Sequence, residues 1–139
     1  LKTAIGFLGV GLAIGLWLVA RRELAGVWPA PHLVSAHTHA VLVGFVLLLI
    51  LGVALWLFPR PAAGDGRYSP RLAALAYWCV TLGTATRVAG ELARGAGAGH
   101  VAVRWGVVLA SVAQVVGVGV YFHTMWSRIR PVGSALREA

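Results

Sequence analysis

Acidic residues are nearly missing from this chain: four Asp and Glu in 139 positions, against twelve Lys and Arg. Charge of either sign is scarce. Charged residues make up 12% of the chain, where a soluble domain carries about 25%. That scarcity argues against an ordinary water-facing surface and leaves no room for a separate soluble domain. The single cysteine, Cys79, sits inside an apolar run, which excludes an intramolecular disulfide and any CxxC or CxxCH site. The many glycines of the apolar runs are isolated small contacts, not a strand–turn–helix fingerprint. No motif for a hydrolase or for phosphate or nucleotide binding is present.

What fills the sequence is hydrophobicity: 59% of residues, with a mean hydropathy of +0.82. Residues 40–58 run nineteen positions without a charged side chain, enough at 1.5 Å per residue to cross a hydrocarbon layer of ~30 Å. Three more apolar stretches accompany it, and the expected spans are residues 4–20, 35–58, 72–93 and 101–126. The first is read as a retained helix, not a signal peptide, because it lacks a basic leader and three further spans follow. Short connections between four such helices predict one all-α domain over residues 1–139, an up-and-down four-helix transmembrane bundle.

The net charge of +8 does not point to nucleic acid, since the basic residues cluster at the ends of the apolar runs, where membrane topology and lipid head groups account for them. Lys2, Arg60, Arg67, Arg71, Arg128, Arg130 and Arg137 fall on one side. Arg21, Arg22, Arg87, Arg94 and Arg104 fall on or near the other. The excess predicts both termini on the cytoplasmic side of a cell inner membrane. Gly11 and Gly15 form a GxxxG in the first span, and Ala36, Ala40, Gly44 and Gly52 draw a small-residue stripe along the second. All four spans carry small residues, more than one internal core needs, so a homo-oligomer is expected.

Chemistry, if there is any, should lie at the outer end, where four of the five histidines gather. Neutral imidazole is a ligand for haem iron, copper and zinc, and its second ring nitrogen can be oriented by a partner. His39 is the deepest and the preferred ligand. His37 is a second ligand or its hydrogen-bond partner, although the two stand about 200° apart if both are helical. His32 lies seven residues before His39, on the same helical face, and His100 sits in the glycine-rich loop before the fourth span. His37, His39 and His32 form the candidate copper or zinc set. His123, at the other end, reads as an interfacial residue. Arg87 lies one to two turns inside the boundary, where a charge is costly and normally paired. Its partner is a haem propionate or Glu91, four residues on.

The segment AHTHAVLVGFVLLLILGVALWLFPR, followed by SPRLAALAYWCVTLGTATRVAG and a TMWSRIRP tail, resembles short membrane proteins related to subunit I of haem-copper oxidases and nitric oxide reductases, with some likeness to NnrS-type haem-copper proteins. The shared pattern is an AHxH entrance, Gly44 and Gly52 before an aromatic end, a Pro-Arg stop and a Ser-Pro-Arg-Leu restart. It covers about residues 35–131. In the large oxidases an outer-end histidine of the second helix ligates a low-spin haem, and by resemblance His39 or His37 takes that role, with the second axial ligand coming from His100 within one protomer or from a neighbouring subunit. The later histidines of the family's binuclear centre have no counterpart here. The resemblance therefore implies a haem b protein for electron transfer or gas and redox sensing, with a respiratory-chain or other electron-donor partner, and not a complete oxidase or reductase. The alternatives are a copper or zinc protein built on the HxH cluster, or a cofactor-free accessory or assembly subunit.

Overall fold

A computed structural model of the chain describes residues 1–61 and 64–129. Arg130 and Arg137, counted above in the charge balance, and the end of the TMWSRIRP tail lie outside the described residues. The described residues form helices and connections, with no strand among them. Helix α1 is Lys2–Ala25, α2 is Pro31–Leu57, α3 is Pro70–Gly95 and α4 is Val101–Met125, continued by a 3₁₀ turn, Trp126–Arg128. All four helices are long and apolar enough to cross a membrane.

The helices outrun the apolar stretches at most ends, because hydrophobicity marks only the stretch that can sit in hydrocarbon, whereas the helix runs on until a breaker stops it. Pro31 and Pro70 open α2 and α3 from the first turn, where a missing N–H costs nothing. Gly26 closes α1 in the left-handed region at φ 63°, its N–H bonded to Arg22 O and that of Val27 to Arg21 O. The start at Pro31 puts His32, His37 and His39 all within one continuous helix.

The helices pack mainly in chain order, α1 on α2, α2 on α3 and α3 on α4, and α2 also meets α4 in a core cluster of Leu51, Ala76, Tyr121 and Met125. The α3–α4 seam is the most extensive, because glycine lets the two backbones meet. A Cβ on Gly117 would stand 2.8 Å from Cys79 Cβ and 3.0 Å from Ala76 O, and one on Gly83 would stand 2.8 Å from Ala110 O. The α1–α2 seam uses the expected GxxxG, with Gly11 against Val41 and Gly15 against His37.

Within α2, residues His39–Leu47 form a π-helical segment between α-helical Pro31–Thr38 and Leu48–Leu57. A step of four residues overshoots a full α turn and falls short of the wider π turn. The two drifts offset each other, and Ala36, Ala40, Gly44 and Leu48 all stay buried.

One end of the row is tied together by polar groups. Arg128, only 6% exposed, donates from Nε to Pro59 O at 2.8 Å and from Nη2 to Phe58 O at 2.8 Å and Leu55 O at 3.0 Å. Its guanidinium lies 4.9 Å from the centre of the Tyr68 ring. Read from sequence as a topology-setting surface charge, it is an internal cap on the orphan carbonyls that end α2. Tyr121 adds a hydrogen bond from its hydroxyl to Leu51 O at 2.7 Å, and Thr124 Oγ1 accepts from Ser69 N–H at 2.9 Å. In the α2–α3 connection, Asp65 accepts from the Ser127 hydroxyl and the Arg67 N–H.

Two outcomes are expected. Arg128→Ala strands several carbonyls and should lower unfolding stability in detergent by about 3 kcal/mol, with Arg128→Lys recovering only part. The hydrogen bond from Ser127, followed by that from Arg67, holds the Asp65 carboxyl below its ordinary value of 3.8. A depressed carboxylate contributes stability that is present above its unfolded pKa and lost as pH falls through the folded one. Acid titration of unfolding should therefore show a loss below about pH 4 that shrinks in Ser127→Ala. An identical acid limb in both proteins would count against the bond.

Candidate functional site

Glu91 is the centre of the polar groups at the other end of the row. It is 4% exposed, one turn before the end of α3. Ser35 of α2 donates its hydroxyl to Glu91 Oε1 at 2.7 Å, and Arg87, one turn earlier on α3, donates from Nε to the same oxygen at 3.2 Å. Arg87 also reaches α4, with Nη1 donating to Ser111 Oγ at 2.8 Å, and Ser111 in turn donates to Val107 O at 2.7 Å. One buried carboxylate thus engages three helices. A turn deeper, Gln114 Nε2 donates to Thr84 Oγ1 at 2.9 Å, and that hydroxyl donates to Val80 O at 2.7 Å.

His39 stands beside this group, one helical turn after Ser35. Its Nδ1 lies 2.9 Å from the carbonyl oxygen of Ser35, 3.3 Å from Ser35 Oγ and 3.8 Å from Glu91 Oε2. A carbonyl can only accept and the Ser35 hydroxyl proton is spent on Glu91, so Nδ1 carries the hydrogen in this network. In the neutral ring Nε2 then holds the lone pair, and it has no hydrogen bond among the described residues. Glu91 Oε2 is likewise buried with no hydrogen-bond partner among them.

At the tied end α2 and α4 are joined by Tyr121 and Arg128. The side chains of His39 and Arg87 each remain 22% exposed. At 1.5 Å per residue, Glu91 lies about 6 Å and both His39 and Arg87 about 12 Å along the axis from their helix ends. Polar groups at that depth are costly unless paired or covered.

The expected gathering of histidines takes place at one end but not in one site. His37 faces the opposite way, its Nδ1 2.8 Å from Gly11 O of α1 and its ring lying over Gly15. The two histidines of the HxH are neighbours in sequence on opposite sides of a continuous helix. His32 is half-buried in the first turn of α2. His100 is exposed and caps α4, its Nδ1 accepting from Ala102 N–H at 3.3 Å. Among the described residues, no three His, Cys, Asp or Glu side chains come together as a metal site. That leaves the copper or zinc set of His32, His37 and His39 without a shared centre. Of the two partners expected for Arg87, Glu91 is the one it meets, and with two of its five N–H donors engaged it keeps three more.

Ser35, Ser111 and Gln114 were missed in the sequence. The signals were present: a serine four residues before a histidine, and two polar side chains in the otherwise apolar residues 105–120.

No protein-family model, no curated protein and no solved structure matches the chain.

Proposed function

We propose that the chain is a membrane haem b protein, serving electron transfer or gas and redox sensing, in which His39 Nε2 is an axial ligand. The observation that carries this reading is the hydrogen bond from His39 Nδ1 to Ser35 O, 2.9 Å long. Histidines that ligate metals characteristically donate their other ring N–H to a carbonyl or carboxylate, which orients the ring and raises its basicity. Here Ser35 O fixes the ring, and Glu91 Oε2 stands 3.8 Å away as a second, unused acceptor. Arg87, on the same carboxylate, has N–H donors to spare and suits an anionic propionate. The resemblance of the AHTH entrance to haem-copper oxidase relatives points to His39 or His37, and His37 is turned toward α1. The charge balance favours both termini in the cytoplasm and this end toward the outer face of a cell inner membrane.

The bound haem would supply reversible one-electron chemistry or a gas-binding position. The chain's own part is to orient the imidazole and to counter the propionate charge.

The test is the absorption spectrum of the detergent-purified protein, oxidised and dithionite-reduced, with metal analysis on the same sample. A Soret band with sharp reduced α and β bands is expected. His39→Ala should abolish it, and Arg87→Ala should weaken haem retention roughly 10-fold or more. Full haem occupancy in His39→Ala would remove His39 from the role. A colourless sample with stoichiometric copper or zinc, or with no cofactor, would replace the haem reading by a metal-binding or accessory one.

A further inference from the structure

We propose that the recess beside Arg21, where α1, α2 and α3 meet, binds the phosphate end of an anionic phospholipid. The site is separate from the His39 group and stands whether or not the haem reading does.

The recess has a volume of about 190 Å³ and is lined by Leu18 and Arg21 of α1, Trp28 and Ala30 of the connection that follows, Leu33 of α2 and Gly95 of α3. Its form follows from the local sequence. Gly26 turns the chain out of α1 at φ 63°, and Ala30, extended ahead of Pro31, leads it into α2. On α3, Gly95 has no side chain, and Leu33 occupies the space that a Cβ there would take. The lining is therefore of two kinds, apolar at Leu18, Ala30 and Leu33 and cationic at Arg21.

Arg21 is a cation without an anion. Its neighbour Arg22 pairs with Glu23 at 2.7 Å. The other two acidic side chains among the described residues are engaged elsewhere, Asp65 with Ser127 and the Arg67 N–H, and Glu91 with Ser35 and Arg87. The carbonyls that end α1 are already capped, Arg22 O by Gly26 N–H and Arg21 O by Val27 N–H. The Arg21 guanidinium makes no hydrogen bond among the described residues and lies 5.1 Å from the centre of the Trp17 ring. Its planar fork of donors is thus held in place by an aromatic face and left open for an acceptor from outside the chain.

The level of the recess says what that acceptor is. Arg21 lies about 6 Å along the axis from the end of α1, a helix long and apolar enough to cross a membrane. Tryptophan and arginine near such an end mark the head-group layer, and Trp17 and the exposed Trp28 both stand here. A phospholipid matches both kinds of lining: its phosphate takes the guanidinium fork, and its glycerol and first acyl carbons meet Leu18 and Leu33. Free phosphate gains nothing from the apolar lining, and a neutral diacylglycerol leaves Arg21 unpaired. Arg22 and Arg94, each next in sequence to a lining residue, disfavour a head group that brings its own cation.

The test is titration of the delipidated full chain in detergent with dioleoyl phosphatidylglycerol, read by native mass spectrometry. A single phosphatidylglycerol should bind, with dioleoylglycerol and inorganic phosphate each about 10-fold or more weaker. Arg21 is exposed, so Arg21→Gln should keep the fold, checked by circular dichroism, and lose affinity for phosphatidylglycerol by about 10-fold. Arg104→Gln, an equal change of charge on α4, should bind as the unaltered protein does. Equal losses in the two variants, or equal affinity for dioleoylglycerol, would overturn the site. Inorganic phosphate bound as tightly as the phospholipid would overturn the lipid as its occupant.

Discussion

A carboxylate kept out of water has to be met on every side, and that requirement at Glu91 organises the site end of this molecule. The Glu91 carboxylate is met on one oxygen by Ser35 from α2 and Arg87 from its own helix, and Arg87 is braced in turn by Ser111 on α4. Because charges in a low-dielectric surround are stabilised only by partners in good geometry, each of these contacts fixes a helix relative to α3. The other oxygen has no hydrogen-bond partner among the described residues. An incompletely satisfied buried carboxylate is expensive, and such an expense is most often found where a further group belongs.

The opposite end solves a different problem with a similar economy. There the orphan groups are carbonyls at and just past the end of α2, and a cation with a planar fork of donors takes those of Leu55, Phe58 and Pro59 at once. Between the two polar ends the contacts are those of small residues, Gly11 and Gly15 on α1 and Gly83 and Gly117 along the α3–α4 seam, where backbone approach replaces hydrophobic burial as the source of association.

Much of this was legible in the residues. Four apolar runs set the number of helices, and the Arg87–Glu91 spacing announced the ion pair. Two features were not legible. Arg128 at the end of an apolar run has the same appearance whether it points to lipid head groups or folds back on carbonyls, because the difference depends on where α2 stops relative to α4. The convergence of His37 and His39 depended on whether the helix starts before or between them, and Pro31, a sound first-turn residue, places the start before both.

The π-helical segment ties these observations together. It begins at His39 itself, so the ring is presented at the junction where the helix changes pitch. Had α2 remained a regular α-helix, the four-residue stripe would have kept drifting in one direction, carrying Gly44 and Leu48 away from the buried face that Ala36 establishes. The wider turn brings the stripe back, which lets Gly44 receive the Phe7 side chain of α1 and Leu48 join the core with Ala4 and Val80. It does so below His39 and leaves the turn above undisturbed, where Ser35 must face Glu91 and His37 must face Gly11. The irregularity in α2 therefore reconciles two packing demands of opposite phase: a polar upper turn directed at α3 and an apolar lower half shared with α1. A residue at the boundary between them, with one ring nitrogen already committed to the upper turn, is where the chain can hold a ligand without giving up either contact.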